Sequence, residues 1–144
     1  MSMYKIIFFT YSLFLVLVSA CNTSDDIDSF KEEDIRSYNQ QIETGRMKQE
    51  SWTETPISIL NKLLPPEYKS ESNSYYKIEI QKNSTNSLTI IVTQEGLGDD
   101  SVYGEKRIIS FVQNNGVWII KRIRLGFKCQ NGRGHKNYSG NVCS

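Results

Sequence analysis

Asn115-Gly116 sits between two runs of strand-forming residues, KRIISFVQ before it and VWIIKRIRLGFKC after it. Few dipeptides constrain a chain as tightly. A two-residue type I′ turn needs positive φ at both central positions, which asparagine and glycine tolerate. The turn therefore predicts an antiparallel hairpin and sets its register. Counting outward, Gln113 falls opposite Trp118, Val112 opposite Ile119, Phe111 opposite Ile120 and Ile108 opposite Ile123. Apolar partners meet, as a half-buried sheet requires. The same count sets Arg107 opposite Arg124 and Ile109 opposite Arg122. Opposed like charges are unfavourable, so solvent, an acidic neighbour or a bound anion must relieve them. Arg107, Arg122 and Arg124 are thus candidates for an anion-binding patch.

Two more strands precede the hairpin. SYYKIEIQK alternates, with Tyr76, Ile78 and Ile80 on one face, and LTIIVTQ puts Leu88, Ile90 and Val92 on one face. NSTN turns between them, and the glycine-rich EGLGDD leads to the hairpin. Upstream the period changes. Ser29 and Glu32 have the spacing of a capping box, and Ile35, Tyr38 and Ile42 share one helical face, which predicts a helix over 29–49 that Gly45 weakens. Thr55 and Pro56 open a second helix over 56–64, with Ile57, Leu60, Leu63 and Leu64 as its stripe and Pro65-Pro66 as its stop. The expected fold class is α+β, with two helices packed on a four-stranded antiparallel meander.

The N-terminus carries a different message. Lys5 precedes an apolar run from Ile6 to Val18, and small residues follow. This is the plan of a secretory signal, and the run is too short for a permanent ~20-residue span. Val18-Ser19-Ala20-Cys21 resembles the lipobox of bacterial lipoproteins. That resemblance implies cleavage after residue 20, lipid on Cys21 and a membrane anchor. Asn22 at the second mature position favours delivery to the outer membrane. Ser24-Asp25-Asp26 resembles the acidic signal that sends lipoproteins of Bacteroidetes-type bacteria to the cell surface. The expected organisation is a signal over 1–20, a lipidated cysteine and flexible acidic tether over 21–28, and a single domain over 29–144.

If Cys21 carries lipid, Cys129 and Cys143 remain, in a compartment where thiols oxidise. A disulfide is the favoured reading. A zinc site made of Cys129, His135 and Cys143 is the rival, although zinc cysteines normally come in closely spaced pairs, and free thiols are a third state. Around this loop the charge is uneven. Residues 22–55 hold nine acids and four bases, whereas residues 101–144 hold one acid and eight bases. The two ends can complement each other, or the basic end can meet an anionic partner. Arg133, His135 and Lys136 join the candidate patch on that ground.

Catalytic patterns are not recognisable. His135 is the single histidine, and its loop holds no acid to pair with it. Glu95, Asp99 and Asp100 lack the ligand spacing of an EF-hand. Asp100-Ser101-Val102 resembles a short O-glycosylation motif of exported Bacteroidetes-type proteins. Tyr75, Tyr76, Phe111, Trp118 and Phe127 sit on strands, where aromatics usually form core. No catalytic residue, metal or cofactor is expected, and export makes nucleic acid an unsuited partner.

EGLGDDS, GVWII and CQNGRGHKNYSGNVC together are similar to a group of small exported bacterial proteins. That group has an EGL-x-DDS loop, a tryptophan strand and a closing C…GRGH…(W/Y)S…C segment. The resemblance covers roughly residues 90–143 and implies no mechanism; Tyr138 stands where tryptophan is commoner. The expected function is a non-enzymatic lipoprotein of the bacterial outer membrane. It would be anchored through Cys21 and display a domain that binds an envelope protein or an anionic ligand. Two other classes stay open: a small envelope hydrolase using His135, and an inhibitor or immunity-type binder using the basic C-terminal half.

Overall fold

A computed structural model describes residues 24–65 and 75–144 of the chain. The signal segment, the Val18-Ser19-Ala20 motif, Cys21 and the Pro66 helix stop lie outside the described residues. The chain is α+β. In order it forms β1 (Lys31–Glu32), α1 (Arg36–Met47), α2 (Pro56–Leu63), β2 (Tyr75–Ser84), β3 (Ser87–Glu95), β4 (Val102–Asn114) and β5 (Val117–Cys129). The last four strands are the expected meander. The sheet nevertheless has five strands, ordered β1-β5-β4-β3-β2 and antiparallel throughout.

The hairpin turn forms as its residues dictate, with φ of 49° at Asn115 and 81° at Gly116. Gln113, Val112 and Phe111 face Trp118, Ile119 and Ile120 as counted. Beyond that point the count fails. Ser110 pairs with Arg122, so Lys121 has no counterpart and forms a β-bulge. Ile109 then meets Ile123, Ile108 meets Arg124 and Arg107 meets Leu125. The expected Arg107–Arg124 opposition does not exist. The reason lies in the apolar pattern, which changes phase within β5. Trp118 and Ile120 face the helices, and after one extra residue so do Ile123, Leu125 and Phe127. Without the bulge, arginines 122 and 124 would take the core positions.

The expected helix over 29–49 is also corrected. It begins at Arg36, and the Asp34 carboxylate accepts from the Arg36 backbone N–H at 3.0 Å. Ser29 caps nothing there; its hydroxyl bonds the Asp26 carbonyl and the Ser139 hydroxyl and accepts from the Gly140 N–H. Lys31 and Glu32 pair instead with Leu125 and Arg124 on the edge of β5. Gly45 does not end α1. It lets the Trp52 indole lie against the helix, where a Cβ would come within 2.4 Å of Trp52 Cζ2. α2 starts as expected, with Thr55 Oγ1 accepting from the Ser58 N–H and Pro56 in the first turn.

Both faces of the sheet are covered. On one, Ile42, Ile59, Leu60 and Leu64 of the helical part pack on Ile90, Val92, Ile109, Phe111, Ile120 and Ile123. Each such side chain contributes about 1.5–3 kcal/mol by leaving water. On the other, a smaller cluster joins Phe30, Ile108 and Tyr138 with Ile91. Phe30 packs against Gly126, where any Cβ would sit 2.3 Å from its ring. The N-terminal segment therefore crosses the sheet edge: Phe30 packs on one face and α1 on the other.

Candidate functional site

The second cluster is where the ends of the domain meet. β5 finishes at Cys129, whose disulfide to Cys143 closes the loop with a Cα–Cα distance of 5.4 Å. The loop then returns to the edge of β5. Phe127 N–H donates to the Ser139 carbonyl at 2.7 Å, and Ser139 N–H donates back at 2.9 Å. Residues 24–28, expected to be part of a flexible tether, pack on the outer side of this return. Asp26 N–H donates to the Tyr138 carbonyl at 2.9 Å, and Asn137 Nδ2 donates to the Ser24 carbonyl at 3.2 Å.

Tyr138 is buried at the centre. Its hydroxyl donates to Glu95 Oε1 at 2.9 Å, and Lys128 Nζ donates to the same oxygen at 2.9 Å. Lys106 Nζ stands 4.4 Å from the ring centroid and pairs with Asp25 at 2.5 Å. Lys128 also lies 4.9 Å from the Tyr103 ring. Burial first, and then donation to the Glu95 carboxylate, push the Tyr138 phenol well above the usual tyrosine range. Gly104 leaves room for this: a Cβ there would lie 2.7 Å from the Gln94 carbonyl and 3.0 Å from the Tyr138 hydroxyl.

The loop's reactive groups are all committed. The candidate ligand atoms of Cys129, His135 and Cys143 lie within 4.8 Å of one another, but the two sulfurs are bonded together rather than available as thiolates. His135 Nδ1 faces the Asn137 carbonyl at 2.8 Å and Nε2 faces the Asn141 carbonyl at 3.2 Å. A neutral ring donates to one of these carbonyls, and its other nitrogen still points at the loop. His135 therefore braces the loop and is not poised as a general base. In the acidic loop, Asp99 Oδ1 accepts from the N–H groups of Ser101 and Val102 at 2.8 and 2.7 Å, an Asx-type turn.

The candidate basic patch does not converge. Arg107 lies on the helix-covered face, 2.8 Å from Glu105 and 4.0 Å from Glu33. Arg122 and Arg124 lie on the opposite face, and Arg122 bonds Glu32. Arg133 and Lys136 are exposed on the disulfide loop with no acid paired to either among the described residues. Beside them opens a cavity of about 340 Å³ lined by Tyr103, Lys128, Cys129, Gln130, Asn131 and Lys136. Sequence reasoning missed Asp25, Glu95, Tyr103, Lys106 and Lys128 as members of one site. Strand pairing brings them together, and no local spacing announces it. The site holds cations and aromatic faces around an open pocket, an arrangement that can bind an anion or a planar polar group. No protein-family model, curated protein or solved structure matches the chain.

Proposed function

We propose that the protein is an exported lipoprotein, held at the bacterial outer membrane through lipid on Cys21. Its domain is a non-enzymatic module that binds an anionic envelope partner with the disulfide-loop end. The observation that carries this reading is the docking of Ser24–Asp26 on the loop. Only Asn22 and Thr23 lie between Cys21 and Ser24, a covalent reach of at most about 11 Å. Lipid on Cys21 would therefore keep Arg133, Lys136 and the Tyr103–Lys128 pocket close to the membrane surface. A disulfide at that place suits an oxidising compartment. Both ring nitrogens of His135 face backbone carbonyls of its own loop, which weighs against the hydrolase reading.

Fatty-acid labelling of the full chain tests the anchor. The wild type takes up label and sediments with membranes; Cys21→Ala loses both. Label retained by Cys21→Ala, or unchanged membrane fractionation, would refute the anchor. The binding half is read by salt-dependent recovery of crosslinked envelope partners. Joint replacement of Arg133 and Lys136 by serine should cut that recovery, and an unchanged yield argues against the loop as the contact.

A further inference from the structure

The two edges of the sheet are unlike. At one, β1 covers β5 for two residues and Ser139 continues the cover at Phe127. At the other, β2 runs for ten residues, and no strand lies on its outer side among the described residues. Long edges invite pairing, and proteins usually blunt them with charged side chains, lysine above all, or with proline or bulges; the charges on β2, Lys77, Glu79 and Lys82, include both signs. β2 contains no proline or glycine, and its one irregularity lies at the hairpin end, between Lys82 and Ser84. Two large apolar side chains stand in water along it, Tyr75 at 49% and Ile80 at 59% exposure. Ile80 is on the helix-side face opposite Ile90, yet the helices do not reach it.

Read outward from Ile78, the strand is complementary to itself. In an antiparallel pair of two copies centred there, Ile78 meets Ile78, Tyr76 meets Ile80, and Lys77 meets Glu79 twice. Lys77 Nζ already lies 2.9 Å from Glu79 within one chain, both half exposed on the outer face. The pairing would set each carboxylate between two ammonium groups. Centring one residue either way puts Lys77 opposite Lys77 or Glu79 opposite Glu79, which is repulsive. We infer that a second copy of this chain pairs across β2 about Ile78, giving a two-fold dimer with one ten-stranded sheet.

The test traps the pair covalently in the full chain, produced in an oxidising compartment and read on non-reducing gels. Ile78→Cys should give a disulfide-linked dimer. Lys82→Cys should not, because its two copies would lie about 27 Å apart. Adding Lys77→Glu to Ile78→Cys should lower the dimer yield several-fold, and the double exchange Lys77→Glu with Glu79→Lys should restore it. A monomer for Ile78→Cys, equal crosslinking at position 82, or indifference to Lys77→Glu would overturn the pairing. Ile78 is partly buried, so the cysteine variant can misfold. Sedimentation of the wild type and of the single and double charge variants, all with Ile78 in place, then decides, since both charges are exposed. Dimer lost on single reversal and regained on double exchange supports the inference, and any other order refutes it.

Discussion

Tyr138 shows how little of this site can be seen one residue at a time. In sequence it is a tyrosine in a polar loop, between an asparagine and a serine. In the fold it is buried with its hydroxyl on Glu95, 43 residues away, and Lys106 against its ring. Removing the hydroxyl with Tyr138→Phe should cost about 1–1.5 kcal/mol, read as a lower urea midpoint at neutral pH. The pH response tests the same contact. Folding raises the phenol's pKa above its ordinary value of 10.0. Below that value both states keep the proton, and this contribution to stability is constant. Above it the unfolded chain releases the proton while the folded chain retains it, so stability falls as pH rises. Urea midpoints between roughly pH 8 and 11 should decline in the wild type and decline less in Tyr138→Phe. Equal slopes would mean that another group controls the alkaline limb.

At the scale of elements, the turn Asn115-Gly116 fixed three cross-strand pairs correctly and then misled, because counting from a turn assumes an unbroken ladder. The bulge was nonetheless written in the residues. Trp118 and Ile120 alternate in one phase, Ile123, Leu125 and Phe127 in the other, and Lys121 lies at the change. Deleting Lys121 removes the extra residue and leaves every apolar side chain on its face. The deletion should keep far-UV signal and disulfide formation, with a shift of a few degrees in Tm. Deleting Ile109, which is fully buried in the facing strand, flips the phase of β4 upstream and should abolish folding. The misplaced helix start has another cause. Ser29 and Glu32 do fit a capping box, but Phe30 between them finds its hydrophobic surface over Gly126, and strand pairing of Lys31 and Glu32 wins over helix propensity. The disulfide was readable once Cys21 was set aside for lipid. Reducing Cys129–Cys143, a loop with a sequence separation of 14, should lower stability by about 3 kcal/mol, measurable as the urea midpoint with and without reductant.

Over the whole molecule, the charge gradient along the chain is resolved in part by folding the acidic beginning onto the basic end. Asp25 meets Lys106, Glu32 meets Arg122 and Glu33 lies near Arg107, so three of the eight bases after residue 100 have acidic partners from before residue 34. Composition showed the imbalance, and the route of residues 24–33 along β5 shows which bases are met within the chain, with Arg133 and Lys136 paired to no acid among the described residues. That route depends on close backbone contact as much as on charge. A Cβ on Gly140 would lie 1.8 Å from the Ser29 carbonyl oxygen and 3.0 Å from Phe30 Cα. No side-chain rotation relieves a clash with backbone, so Gly140→Ala must part the N-terminal segment from the loop. The main core, built on the opposite face by the helices and the meander, does not involve that contact. Gly140→Ala should therefore keep its helices, the β2–β5 meander and its disulfide while residues 24–33, β1 included, open. Limited proteolysis within that segment should accelerate about tenfold for each ~1.4 kcal/mol of docking lost. Asp25→Asn, which weakens the Lys106 pair but leaves the backbone contacts, should give a smaller acceleration in the same place. Cleavage spread evenly over the chain in Gly140→Ala would instead mean that the docked segment and the main core unfold as one unit.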